Sequence, residues 1–218
     1  MPFYLFLRRL RRSPTAFCGL AAIALLVVIA LFAPWLAPLD PNWQDAAARL
    51  QAPNTQHWLG TDSYGRDLLS RLIYGTRPAL GLVALVTVIT LPAGLLVGIL
   101  SGYYGGWLER ILMRFTDVVM SMPRLLVGHI LPLCLPSAIV RLALDLAGII
   151  LAAAGLGFLG LGARPPMAEW GAMIADGMQV IFDQWWIAAI PGGAILFASL
   201  AFNLLGDGLR DVLEPQHD

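Results

Sequence analysis

The side chains best able to do chemistry are gathered in one patch, HWLGTDSYGRDLLSRLIYGTR at residues 57–77, where Asp62, Arg66, Asp67, Arg71 and Arg77 crowd together. Carboxylates and guanidiniums at this density form ion pairs or meet a partner. Asp67 and Arg71, four residues apart, suit one face of a short helix. Nothing around them provides a nucleophile and base. His57, His129 and His217 are scattered and form no H-E-x-x-H pair. Cys18 and Cys134 lie in apolar stretches without metal-type spacing and read as small buried apolar residues. Every cationic side chain is Arg and none is Lys, so a G-x-x-x-x-G-K phosphate loop is excluded. No catalytic residue, metal or cofactor is expected in this chain, and any ATP-driven work needs a partner.

The elements that position this patch belong to a membrane protein. Hydrophobic residues make up 58% of the chain and charged ones 13%, against about 25% charged in soluble domains; mean hydropathy is +0.73. The expected fold is all-α and polytopic, with about four transmembrane helices. Zero formal net charge gives no footprint for nucleic acid. Arg8, Arg9, Arg11 and Arg12 precede an uncharged run at 13–39, which places the N-terminus in the cytoplasm and sends the first helix outward. A cleaved signal peptide is the rival reading; the long run and its Ala-Pro-Trp-Leu-Ala-Pro end favour an anchor. Residues 1–39 are thus the tail and first helix, 40–77 a periplasmic loop and 78–218 the transmembrane domain. In the loop, Gly60 and Gly65 flank Thr61 and Asp62 in a turn, and Leu68, Leu69, Leu72 and Ile73 line a short interfacial helix. The patch is either a solvated loop with local ion pairs or a contact surface for a partner.

A second span fits the uncharged stretch between Arg77 and Glu109, where Gly94, Gly98, Gly102 and Gly106 repeat every fourth residue as a helix-packing strip. Residues 118–140, broken by Pro132 and Pro136, read as a cytoplasmic or re-entrant segment. The uncharged run at 146–163 would be about 27 Å long as a helix, enough to cross, with Gly155, Gly157, Gly160 and Gly162 as packing positions. Arg141 and Asp145 before it read as an i,i+4 pair. An acidic loop at 164–184 carries Glu169, Trp170, Asp176 and Asp183 on the outer face, and the last span at 184–206 opens on Trp185 and Trp186 and contains Pro191. The C-terminal tail is expected in the cytoplasm.

Three long stretches, HWLGTDSYGRDLLSRLIYGTR, GYYGGWLERILMRFTDVVMSMP and LDLAGIILAAAGLGFLGLGARPPMAEWGAMIADG with the final WW..AAIPGGAILFASLAFNLLGDGLRDVLEP, resemble in order the membrane permeases of bacterial ABC importers for dipeptides, oligopeptides and nickel. The likeness is closest to the second, C-type permease. It implies a multi-pass protein of the inner (plasma) membrane, surrounded by lipid. The implied partners are a homologous permease, two cytoplasmic ATPase subunits that hold the ATP, and a periplasmic substrate-binding protein. On that pattern Gly60, Thr61, Asp62, Gly65, Arg66, Asp67, Arg71, Glu169 and Trp170 face the periplasmic partner, while Asn203, Gly206, Asp207, Gly208, Arg210 and Asp211 match the C-terminal signature. The family has six helices. Between Met122-Pro123 and His129 such permeases carry two further helices and the loop that docks on the ATPase; here only a gap near 125–129 stands in their place. The alternative is a shortened, non-transporting scaffold that binds the partner permease. The substrate, whether peptide, nickel or another solute, stays open.

Overall fold

The computed structural model describes residues 13–104, 131–163 and 166–213. Five α-helices carry the described chain: α1 Pro14–Leu36, α2 Leu68–Tyr104, α3 Leu131–Phe158, α4 Trp170–Met178 and α5 Trp186–Leu213, with a 3-10 turn at Ala46–Ala48. Four of them are long and apolar enough to cross a bilayer, over Pro14–Leu36, Leu68–Gly94, Ile139–Phe158 and Trp186–Val212. The all-α polytopic expectation is met. α1 starts where Ser13 accepts a hydrogen bond from Ala16 N at 3.4 Å and Pro14 supplies a preset φ.

Three helix boundaries differ from expectation. Leu68, Leu69, Leu72 and Ile73 do not form a separate interfacial helix; they are the first turns of α2, which continues through Arg77 and Pro78. Pro78 removes the N–H that would bond the Tyr74 carbonyl, and the helix continues through it. α3 likewise begins at Leu131, so the second half of 118–140 is continuous with the span after it; residues 118–130 lie outside the described residues. Pro132 falls in the first turn, where no backbone N–H is needed.

At its other end α3 stops at Phe158 rather than continuing to 163. Gly160 has φ +77°, Leu161 N donates to Leu156 O at 2.8 Å and Gly160 N to Gly157 O at 3.0 Å. These paired bonds around a left-handed glycine are a Schellman stop. Gly160 therefore ends the helix and does not pack against a neighbour.

The bundle is built on α5, which lies against α1, α3 and α4. Its approach to α1 is set by two glycines: a Cβ on Gly208 would lie 2.2 Å from Ala16 N, and one on Gly19 would lie 2.4 Å from Leu205 N. Gly206 takes the side chain of Leu144 in the same way. Leu26, Leu146, Ile150, Ile187, Ile195 and Phe202 fill the core between the helices. The packing expected at Gly94 and Gly155 is not found among the described residues, where neither has a neighbouring atom within 4 Å of its Cβ position. Gly98 and Gly102 lie on α2, and Gly106 lies outside the described residues. Cys18 is exposed on α1, not buried, because a lipid-facing position accepts an apolar side chain as readily as a core.

Gly208→Leu should wedge α1 away from α5 and cost about 1–3 kcal/mol, the range for overpacking a filled interface. Thermal unfolding in detergent should show it, and Gly94→Leu should leave the transition where it is.

Candidate functional site

The loop between α1 and α2 folds back as a cap over one end of the bundle. Its centre is Asp62. One carboxylate oxygen accepts from Tyr64 N at 2.9 Å and Arg66 N at 3.0 Å, closing the turn; the other accepts from Arg66 Nε at 2.6 Å and lies 3.5 Å from Arg71 Nε. The turn requires Gly65 at φ +74°, where any Cβ would lie 1.8 Å from the Asp45 carbonyl. Arg66 continues across to Asp176 on α4 at 3.2 Å, and its guanidinium stacks 4.5 Å from the Tyr64 ring centroid.

Asp67 caps α2. One carboxylate oxygen accepts from Ser70 N at 2.8 Å and Ser70 Oγ at 2.7 Å, the other from the His57 ring nitrogen at 3.0 Å. Thr61 ties the cap to itself, donating to the Ala48 carbonyl and accepting from Gln51 N at 2.8 Å. Arg71 Nη1 donates to the carbonyls of Pro41 at 3.3 Å and Pro166 at 3.5 Å, so it holds both ends of the cap.

The second half of the site is the turn into α4. Glu169 is the N-cap, accepting from Gly171 N at 3.0 Å and Ala172 N at 3.3 Å. Gly157 and Gly162 leave the room its carboxylate occupies, since a Cβ on either would fall within 2.7 Å of it. Trp170 is buried and donates Nε1–H to the Leu72 carbonyl at 3.0 Å. Gln184 fastens the start of α5, donating to the Leu50 carbonyl at 2.8 Å.

The structure brings most of the loop residues singled out from sequence together with their side chains turned inward; Arg77 and Asp183 stay exposed. Thr61, Asp62, Arg66, Asp67, Arg71 and Trp170 are buried. Their side chains shape the cap from within. The reason is that each charge finds a buried counter-charge or carbonyl, so the patch folds inward. Among polar residues such as Asn42, Gln44 and Gln56, this end of the bundle also exposes large aromatics: Trp43 is 71% exposed, Trp58 68%, Trp185 63% and Phe182 wholly so. Their positions between turn residues were the available signal. Gln184 was missed because its partner, Leu50, is far away in sequence, whereas Ser70 and His57 bond the nearby Asp67 and were missed because neither carries a charge pattern that stands out.

Elsewhere Arg141 and Asp145 form their i,i+4 pair at 3.2 Å on an exposed face of α3. The C-terminal set splits by helical period: Gly206 and Gly208 are buried, Asn203 half-buried, and Asp207, Arg210 and Asp211 exposed. Among the described residues no three His, Cys, Asp or Glu side chains are arranged to hold a metal ion. The arrangement is a hydrogen-bonded, ion-paired cap over membrane-length helices.

Residues 2–53 match the family described as the N-terminal transmembrane domain of oligopeptide transport permease C. Residues 124–217 match the inner membrane component of binding-protein-dependent transport systems. Among curated relatives, the probable D,D-dipeptide transport system permease protein DdpC of Escherichia coli (strain K12) is 36% identical over 266 residues, covering 95% of this chain and 89% of the relative. The dipeptide transport system permease protein DppC of Alkalihalophilus pseudofirmus is 31% identical over 96% of this chain and 88% of its own. The glutathione transport system permease protein GsiD of Pectobacterium atrosepticum is 33% identical over 99% and 91%. Each alignment is longer than the 218 residues of this chain, so each relative has internal residues without a counterpart here.

Asp62→Asn should leave Arg71 a buried cation without its carboxylate and Arg66 with Asp176 alone, and destabilise the cap by about 3–5 kcal/mol, the usual cost of breaking a buried pair from one side. Limited proteolysis should then cut within 40–67, whereas Trp43→Ala, on the exposed rim, should leave the cap resistant.

Proposed function

Because this chain belongs to the permease subunits of binding-protein-dependent transport systems, in the oligopeptide permease C branch, we propose that it forms part of the translocation pathway of an ATP-driven peptide importer. It is a multi-pass inner-membrane protein and a transporter subunit, not an enzyme. Such permeases work with an ATPase and a substrate-binding protein. In the proposed reading the cap and its aromatic rim face the periplasm and meet the binding protein, the open faces of α2 and α3 meet the homologous partner permease, and both termini lie in the cytoplasm. Peptides are the favoured cargo over nickel, because the relatives' names carry dipeptides, peptides and glutathione.

The observation that carries the reading is the contact between the two family-matched stretches. α1, from the first, and α5, from the second, close on each other through Gly19 and Gly208, so the matched pieces build one body. The internal residues present in the relatives support the expectation that a segment near 125–129 is absent here. That segment includes the ATPase-docking loop implied by the family resemblance, which makes ATPase association the decisive measurement.

Co-expressed with the partner permease, ATPase subunits and binding protein of its own system, the chain should co-purify with the ATPases and support ATP-dependent uptake of a labelled dipeptide in proteoliposomes. Partner permease recovered without ATPase, and no uptake, would overturn the importer reading in favour of the scaffold.

A further inference from the structure

Arg77 stands apart from the other cap cations. It is exposed, lies within the membrane-length part of α2, and is followed by an uncharged stretch to the end of that span at Gly94. Its Nε donates to the Ala30 carbonyl of α1 at 2.8 Å, and its guanidinium lies 5.3 Å from the Tyr74 ring centroid. Its Nη groups have neither a hydrogen-bond nor an ion-pair partner among the described residues. An arginine where a span begins reaches its charge to the headgroup level, where an anion can answer it.

The group facing it is a cavity of about 850 Å³ between the end of α1, the first loop and the start of α2, lined by Pro34, Pro38, Asp40, Tyr74, Arg77 and Met167. It contains one cation and one anion that are not paired with each other; one oxygen of Asp40 accepts from Asn42 N at 2.8 Å. Two further features fix its level. Trp35, one turn beyond Ala30, is 79% exposed and sits 5.5 Å from Phe32, as an interfacial aromatic does. From Arg77 along the helix away from the cap, Gly81, Leu85 and Val88 form an exposed apolar strip, and Gly81 opens onto empty space.

We propose that this cavity binds the headgroup of a phospholipid from the cap-side leaflet, one carrying a phosphodiester and a primary ammonium. The phosphate pairs with Arg77, the ammonium with Asp40, and an acyl chain runs along Gly81, Leu85 and Val88. A soluble zwitterion could satisfy the two charges but not the apolar strip. The inference depends on membrane insertion alone and stands whether or not the chain transports peptides.

Native mass spectrometry of the detergent-purified full chain, offered phosphatidylethanolamine or phosphatidylglycerol, tests it. The wild type should retain phosphatidylethanolamine in preference. Arg77→Gln should lower the retained fraction about fivefold, the effect of one arginine at a charged lipid surface, with Arg77→Lys intermediate. Asp40→Asn, in a loop away from the helix packing, should abolish the preference between the lipids even if Arg77→Gln does not fold. Equal retention by wild type and Arg77→Gln, or an unchanged preference in Asp40→Asn, overturns the proposal. Displacement of the lipid by millimolar inorganic phosphate or by a dipeptide overturns it too, assigning the site to a soluble anion or to cargo.

Discussion

The cap depends on a single carboxylate. Asp62 accepts two backbone N–H groups from its own turn and serves two arginines with its other oxygen, all in a buried setting. Removing such charges from water is costly, and the attraction compensates only when each lone pair has a partner. Here the compensation is distributed: Arg66 reaches Asp176, and Arg71 reaches the Pro41 and Pro166 carbonyls. Three stretches far apart in sequence therefore share one electrostatic centre, and the start of α2, the docking of α4 and the path of the first loop are fixed together. A neutral core of the same volume could hold the loop; it would not fix the direction in which α2 enters the membrane.

Below the cap the physics changes, because burial of apolar surface gives little drive between helices already surrounded by lipid. Close backbone approach takes its place, and it is concentrated where α5 meets α1. The share of each span buried inside the chain falls from 39% for α5 to 17% for α2, which makes α5 the axis of the bundle and α2 its most open wall. On that wall Gly81 and Gly94 meet nothing among the described residues. The same residue type thus serves as a contact on one helix and as open surface on another.

That difference shows how far the sequence could be read. Span number and approximate position follow from charge-free length, which is a local property. The identity of the site residues was also legible, since dense charges between apolar runs stand out. Their orientation was not: whether Asp62 and Arg71 face water or one another depends on Asp176 and Pro166, about a hundred positions away. Glycine spacing misled in the same way. Gly155 and Gly160 share a pattern with Gly157, but one lies open, one terminates α3 and only the third adjoins Glu169. Gly19, alone in its run, makes one of the two tightest contacts between α1 and α5.

Helix length then bears on how a chain of this size keeps the family topology. α2 has 37 residues and would be about 55 Å long, well beyond the roughly 30 Å of hydrocarbon. Its first turns are taken up by the cap, where Ser70, Arg71 and Thr76 are buried, so the crossing proper begins near Arg77. The alignment with the Escherichia coli relative uses 95% of this chain but extends over 266 residues, leaving on the order of 60 residues of the relative unmatched, room for two crossings of about 20 residues each with their loops. Within this chain the cap and α4 meet at one end of the bundle, since Arg66 reaches Asp176. α2 starts at that end and α3 finishes there beside Glu169, so the ionic centre fixes opposite directions for these two helices.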